Sequence, residues 1–343
     1  MKFNKDTVTS QMSDANILQL VTMLRDTLNL THIAIACHIN SNAEFVAAGT
    51  TPSPRTQNNH YLAWANAIHS VGLKVLHRGT LAELEGNYSF QHAVGGNRVP
   101  PGDDESAATD GSSTLLGRFY ANFDRLCADG AIQSGDILGF CPERTEGIFL
   151  DGTAFLPASG IQAAYAAFFN DMRAICIERL AARSITGVVV GHTANNWSEV
   201  NSGWIPGEAF TVPNIVAFDH YGSGELSVKA SPSHPQLMTN DLNNTFTAKG
   251  DRLMHHQEWA DHWNGSMPRL DRIYYLKAMY NVWKAAAAAN KLYGFNYWGA
   301  FAGSAEQIIA GSAGSYSLAW NGKILASFFK GDPIKRVPIH LLN

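Results

Sequence analysis

Two glutamates, Glu143 and Glu258, are of the residue type that acid–base chemistry on a sugar linkage needs. Each follows a short apolar segment of the chain, and Glu146 stands three residues after Glu143. Cleavage of a glycosidic bond requires one carboxyl group that donates a proton and a second that stays ionised. The surroundings of the two groups must hold their pKa values apart. Glu143 and Glu258 fit this requirement, with Glu146 as the alternative to Glu143.

Polar or aromatic residues also follow the other apolar segments. If those segments are parallel strands of one closed sheet, the residues after them converge on one end of it. Flat aromatic rings at such a place pack against the C–H faces of sugars. The candidates for substrate binding are His38, His77, Arg78, His192, Asp219, His220, Tyr221, His256, Trp259 and Trp298. Along the predicted strand that ends near Glu258, period-two alternation places Met254, His256 and Glu258 on one face, which would point Glu258 inward.

The elements that must position these residues alternate along the chain. Continuous apolar segments predict buried parallel strands at 33–37, 73–76, 136–140, 187–190, 215–218, 252–256 and 294–297, with a weak first strand near 3–9. Amphipathic segments predict helices at 14–28, 59–71, 113–127, 160–182 and 270–289, the first capped by Ser13. Strands that alternate with helices predict βαβ units, and eight strands close a (β/α)₈ barrel. The alternative, an open doubly wound sheet, usually carries a glycine-rich phosphate loop, and neither GxGxxG nor GxxxxGK[ST] occurs.

The whole chain, residues 1–343, is predicted to form this one barrel domain. Long polar connections at 79–112, 192–212 and 222–250 follow strands, where barrel enzymes build their sites. Near the C-terminus, Asn321-Gly322 lies between two apolar segments, which predicts a β-hairpin over 316–329.

Four short motifs resemble those of the clan A glycoside hydrolases, which are retaining (β/α)₈ barrels. The segment GFCPERTEG covers the end of the fourth strand and the residues after it, and LMHHQEW ends the seventh strand. The segments IVAFDHYG and FNYWGAF contain the sixth and eighth strands. The resemblance implies that Glu143 is the acid/base, that Glu258 is the nucleophile, and that Trp298 forms the floor of the sugar subsite. It implies a carbohydrate substrate and no cofactor.

The chain departs from the clan at one position. The clan usually has Asn directly before the acid/base glutamate, where it binds the sugar 2-hydroxyl, and this chain has Pro142. Either another residue takes that role, or Glu143 is not the acid/base, or the barrel has diverged towards unusual substrates. Pro142 also supports a third interpretation, a carbohydrate-binding barrel without catalysis.

A metal-dependent hydrolase on the same fold is the competing enzyme, because such enzymes place histidines at strand ends. The sequence lacks HxH on an early strand and lacks HExxH. His255 and His256 are adjacent, so on a strand they would point to opposite faces and could not both bind one ion. We therefore expect no metal site.

Composition excludes several other classes of partner. The formal net charge is −4, and no basic cluster beyond Lys335-Arg336 is present, so we expect no nucleic-acid binding. Neither a signal-peptide core nor an apolar stretch long enough to span a membrane occurs. This favours a cytoplasmic protein or one whose leader was removed. The cysteines, Cys37, Cys127, Cys141 and Cys176, form no CxxC pair and are expected to be buried thiols.

Overall fold

The computed structural model describes residues 2–3, 12–37, 57–80, 123–141, 150–151, 154–155, 173–196, 216–219, 234–248, 254–259, 269–297, 308–312 and 314–331. Their strands are β1 (Lys2–Phe3), β2 (His32–Cys37), β3 (Lys74–Thr80), β4 (Ile137–Cys141), β5 (Leu150–Asp151), β6 (Ala154–Phe155), β7 (Val189–Asn196), β8 (Val216–Asp219), β9 (Met254–Trp259), β10 (Leu292–Tyr297), β11 (Ile309–Ala310) and β12 (Ser317–Leu318). Their helices are α1 (Asp14–Leu28), α2 (Gln57–Ser70), α3 (residues 123–128), α4 (residues 173–182), α5 (His234–Ala248), α6 (Arg269–Ala288) and α7 (Trp320–Gly331).

Eight of the strands form one parallel sheet in chain order. The order is β1-β2-β3-β4-β7-β8-β9-β10, and each strand pairs in parallel with the next. The pairs β5-β6 and β11-β12 are separate antiparallel ladders. The seven predicted apolar strands are therefore confirmed. The weak first strand predicted near 3–9 overlaps β1 at Phe3, and residues 4–9 lie outside the described residues. In this order β4 is the fourth strand of the sheet and β9 is the seventh.

Where the side chains of the sheet are described, both of its faces are buried, which is why these strands are apolar without alternation. Ile33, Val75 and Leu138 belong to the large core that the helices cover. Their sequence neighbours Ala34, Leu76 and Ile137 form a second, smaller cluster, because successive side chains of a strand point to opposite faces. One layer of apolar side chains therefore fills the space between sheet and helices, and another packs on the opposite face.

Helix α1 shows how the sequence sets the ends of a helix. The Ser13 hydroxyl accepts a hydrogen bond from the Asn16 N–H at 3.3 Å, which confirms Ser13 as the N-cap. At the other end, Asn29 adopts a left-handed conformation with φ of 51°, and its N–H donates to the Arg25 carbonyl. The buried stripe is Ile17, Leu20, Val21, Leu24 and Leu28, as the amphipathic pattern predicts.

The predicted C-terminal hairpin over 316–329 is wrong. Residues 317–318 form β12, which pairs with β11, and the chain from Trp320 to Gly331 is helix α7. Asn321 is 1% exposed, and a Cβ atom added to Gly322 would lie 2.5 Å from the Ile308 carbonyl oxygen. The Asn-Gly pair therefore permits close packing of the start of the helix rather than forming a two-residue turn.

The connection at 222–250, predicted as a polar loop, contains helix α5. Its buried residues Met238, Leu242 and Thr245 are spaced by four and three positions, so they lie on one helical face. Most of the other residues of α5 are polar, and one of its three buried positions is a threonine, so the sequence shows little apolar periodicity here.

In the described part of the chain, no helix has the length and apolar character that crossing a membrane requires.

Replacing Gly322 with alanine should lower the free energy of unfolding by about 1–3 kcal/mol, because the added methyl group overlaps the Ile308 carbonyl. Alanine would otherwise stabilise a helix by about 1 kcal/mol relative to glycine, so the sign of the change is informative. The matched control is Lys323→Ala, an exposed position on the same helix, where the change should stay within about 0.5 kcal/mol. Urea unfolding measures both; a stabilised Gly322→Ala variant would contradict the close contact.

Candidate active site

The carboxyl ends of the parallel strands carry several of the predicted site residues. Asp219 is the last residue of β8, and β9 carries His256, Glu258 and Trp259 near its end. Because parallel strands all point the same way, these backbone positions meet at one end of the sheet, the mouth end. The structure therefore brings the proposed nucleophile position and its neighbours on β8 and β9 together.

Two other predicted residues lie further from the mouth end than expected. Arg78 and His192 were placed at strand ends, but β3 continues to Thr80 and β7 continues to Asn196. His192 pairs with Phe140 and with Val216, the first residue of β8. Asn196, which sequence analysis missed, is the β7 residue at the mouth end and pairs with Asp219. Residues 191–196 are mostly polar, so no apolar segment in the sequence indicates that β7 continues to Asn196.

Irregular pairing occurs at the same end of the sheet and also at the start of the β9–β10 ladder. The register shifts between Ala194 and Asn196 where β7 meets β8, and again in the β9–β10 ladder. Between β8 and β9, one step from Phe218 to Asp219 is matched by two residues on β9. Such bulges occur at barrel rims and next to active sites, where they redirect side chains. The alternation used to place Glu258 on the face of Met254 and His256 is interrupted at Gln257, so that argument does not hold.

The remaining predicted residues lie outside the described residues. His38 follows β2, His220 and Tyr221 follow β8, and Trp298 follows β10 directly. Glu143 stands two residues after Cys141, the last residue of β4, with Glu146 beyond it.

The side chain of His77, a residue predicted to bind substrate, lies inside the protein rather than at the mouth. Its side chain is fully buried and belongs to the helix-covered face of the sheet. Its Nδ1 lies 2.6 Å from the hydroxyl of Tyr61 on α2, and its Nε2 lies 3.0 Å from Asp136. Both ring nitrogens are therefore used inside the protein.

Asp136 is the centre of this buried polar cluster. Its carboxylate accepts hydrogen bonds from the backbone N–H groups of Val75 and Gln133, at 2.9 and 2.8 Å. It also accepts from the Nε2 atoms of His69 and His77, each at 3.0 Å. Because an ionised carboxylate only accepts, the Nε2 atoms of both histidines must carry protons. Burial raises the pKa of Asp136, but the hydrogen bonds and charges of His69 and His77 outweigh it and hold that pKa well below its usual value.

The cluster lies at the opposite end of the sheet from the mouth. Asp136 directly precedes β4, and His69 is in the last turn of α2, just before β3 begins. In barrels of this kind the amino ends of the strands serve stability rather than chemistry. Sequence analysis took Asp136 for the first residue of a strand and had no signal for its partners, which lie 59 and 67 positions away.

The described residues offer little to a metal ion or to thiol chemistry. Among them, no group of three His, Cys, Asp or Glu side chains could hold a metal. Cys127 and Cys176 are buried free thiols, as expected for these two. Burial raises the pKa of Cys127 to about 12 and that of Cys176 well above its usual value, which disfavours the reactive thiolate.

Asp136→Asn should lower the free energy of unfolding by about 3 kcal/mol, because the amide replaces a buried charge that four N–H groups require. The matched control is Asp129→Asn, which removes an exposed carboxylate paired with Arg125 and should cost under about 1 kcal/mol. Urea unfolding at pH 7 measures both. Equal stability of the two variants would show that the cluster does not stabilise the fold.

His32, at the same end of the sheet, should make stability depend on pH. Burial is the main cause that lowers its pKa from 6.5 to about 4. His32 therefore binds a proton below about pH 6.5 in the unfolded chain, but only below about pH 4 in the folded chain. Stability is full above pH 6.5 and falls by about 3 kcal/mol as the pH drops to 4.

The variant His32→Gln, which cannot titrate, should show a flatter profile between pH 6.5 and 4 in urea unfolding. Asp136 acts in a separate window, because its lowered pKa means that its stabilisation is lost only below its ordinary pKa of 3.8. A profile as steep in His32→Gln as in the wild type would assign the effect to other groups.

Comparison with known proteins identifies the fold. No protein-family model and no curated protein matches the sequence. Solved structures do match: the glycoside hydrolase family 5 enzyme PbGH5A from Prevotella bryantii B14 has a TM-score of 0.57 and 10% identity over 93% of this chain and 86% of that one. A family 26 endo-β-1,4-mannanase from Cellulomonas fimi has a TM-score of 0.54 and 11% identity over 95% and 76%. A fungal β-1,4-galactanase structure has a TM-score of 0.56 and 12% identity over 94% and 93%. The chain therefore has the (β/α)₈ barrel fold of the clan A glycoside hydrolases, as the sequence predicts.

Proposed function

We propose that the protein is a glycoside hydrolase that cleaves a polysaccharide with two carboxyl groups. The observation that carries this proposal is the position of Glu258, near the carboxyl end of the seventh strand of a barrel whose fold matches enzymes of this class. Glu143 follows the fourth strand of the same sheet. These are the strands on which the two glutamates of the clan are expected.

In the proposed mechanism Glu258 is the nucleophile and Glu143 the general acid/base. The Glu258 carboxylate attacks the anomeric carbon while Glu143 gives its proton to the departing glycosidic oxygen. Glu143 then removes a proton from water, whose oxygen attacks the anomeric carbon and releases Glu258. Retention of configuration by this route requires carboxyl groups about 5–5.5 Å apart, against roughly 6.5–9.5 Å for inversion through one water.

The other residues at the mouth would bind and orient the sugar. Asp219 and Trp259 lie near strand ends on either side of Glu258, and His220 and Tyr221 follow directly in the chain. Hydrogen bonds from His220 or Tyr221 to the charged form of Glu258 would keep it ionised at neutral pH. Since Pro142 cannot supply the side-chain amide that usually binds the 2-hydroxyl, another mouth residue must do so.

A non-catalytic carbohydrate-binding barrel is the second candidate, favoured by Pro142 alone. Polymers related to the structurally similar enzymes, a xyloglucan-bound enzyme, a β-1,4-mannanase and β-1,4-galactanases, can distinguish the two functions: xyloglucan, β-1,4-mannan and β-1,4-galactan. Release of reducing ends from any of them supports the hydrolase. Retardation in a gel that contains a polymer, without release, supports the binding protein.

Glu258→Ala should abolish release of reducing ends while leaving the urea unfolding curve near that of the wild type. Glu143→Ala should slow hydrolysis of natural linkages by about 10²–10⁴-fold, the usual contribution of a general acid. It should spare aryl glycosides whose leaving group needs no proton, and added azide should restore their turnover with retained configuration.

Glu178→Ala, an exposed glutamate on α4, is the control and should behave like the wild type. If Glu143→Ala retains wild-type activity on polymers, the acid is Glu146. If Glu143→Ala and Glu258→Ala both keep full activity, the two-carboxylate assignment is incorrect.

A further inference from the structure

Two acidic residues occupy matched positions on neighbouring strands at the mouth end of the barrel. Asp219, the last residue of β8, pairs in register with Glu258 on β9. Neighbouring strands lie about 4.8 Å apart, so the two backbone positions are adjacent. The segments VAFD, MHHQEW and LYGFNY, which form β8, β9 and β10, contain no other acidic residue.

This pairing exists because of the bulge on β9. The ladder matches Ala217 with His255 and Phe218 with His256, so a regular ladder would match Asp219 with Gln257. The register shift leaves Gln257 as the additional residue and brings Glu258 level with Asp219. A bulge costs a ladder hydrogen bond and is usually kept for a purpose. Here its result is the juxtaposition of two carboxylate residues.

We propose that Asp219 is a positioning residue that sets the pH range over which Glu258 is ionised. The inference rests on the proposed role of Glu258 as nucleophile and gives Asp219 a task beyond sugar binding. A like charge at a neighbouring position disfavours ionisation, and two such carboxyl groups titrate as a coupled pair. Glu258 therefore loses its proton at a higher pH than it would without Asp219.

The other titratable residues on these strands act differently. His255 and His256 precede Glu258 on β9, and when protonated they favour its ionised form. Tyr293 and Tyr297 on β10 are neutral below about pH 10. Asp219 is thus the one residue of β8 and β10 whose charge opposes ionisation of Glu258, and removing that charge isolates its effect.

The test is a ¹³C NMR titration of the full-length protein labelled at the glutamate carboxyl carbon, with Glu258→Gln used to identify the Glu258 signal. Asp219→Asn should lower the pKa of Glu258 by about one unit. Asp219→Glu, which keeps the charge, should leave it near the wild-type value. Asp26→Asn, which removes an exposed carboxylate on α1, should not change it. Asp219→Ser replaces Asp219→Asn if the latter does not fold.

An unchanged Glu258 pKa in a folded Asp219→Asn or Asp219→Ser variant overturns the inference. A lowered pKa supports it even if no polymer is cleaved, and in that case the proposed hydrolase function fails separately. If xyloglucan, mannan or galactan is cleaved, the acid limb of kcat/KM must move to lower pH together with the Glu258 pKa. An active Asp219→Asn variant with an unmoved acid limb overturns the inference and leaves the proposed function intact.

Discussion

A buried carboxylate at the end of the sheet opposite the mouth connects a helix to the strands of the sheet. Asp136 accepts from a backbone N–H of β3 and from a histidine at the end of α2. Its own carbonyl accepts from Val189, the first residue of β7. Through its side chain and its backbone carbonyl, Asp136 thus links helix α2 with strands β3 and β7. Since an unpaired buried charge is costly, these donors cannot separate without a large penalty, and this end of the barrel is held in a single arrangement.

That arrangement leaves the other end free to carry chemistry. Strands β2, β3 and β4 have apolar side chains on both faces and regular ladders, so their register is strongly specified. The last residues of β7, β8 and β9 are largely polar, and the register shifts of the β7–β8 and β8–β9 ladders occur there. The regular ladders of β2, β3 and β4 therefore belong to the same sheet as the irregular ends of β7, β8 and β9. A bulge at such an end can set the position of one residue without disturbing the core.

The sequence predicts the parts of the fold that burial dictates. Seven of the eight strands of the sheet and helices α1, α2 and α6 follow from apolar periodicity, since each must bury a face. Prediction fails where polar residues are involved. The strands β3, β7 and β9 run past the ends of their apolar segments into the mouth, so hydrophobicity alone ends them too early. His77 was assigned to substrate because a histidine near a strand end has no local signal for a partner such as Asp136, 59 positions away.

The candidate site illustrates the same limit more sharply. Counting strands places Glu258 on the seventh strand, and the sheet order agrees. Counting residues within the strand does not place it, because one inserted residue, Gln257, changes both its partner on β8 and the alternation of faces before it. Neither propensity nor composition encodes a bulge of this kind, which depends on how two strands distant in sequence meet. The order of strands along the chain is therefore enough to select Glu258 as the proposed nucleophile. That Asp219 lies beside it depends on the register in which β8 and β9 pair. A variant that deletes Gln257 would separate the two, because it keeps Glu258 on the same strand but shifts it out of register with Asp219.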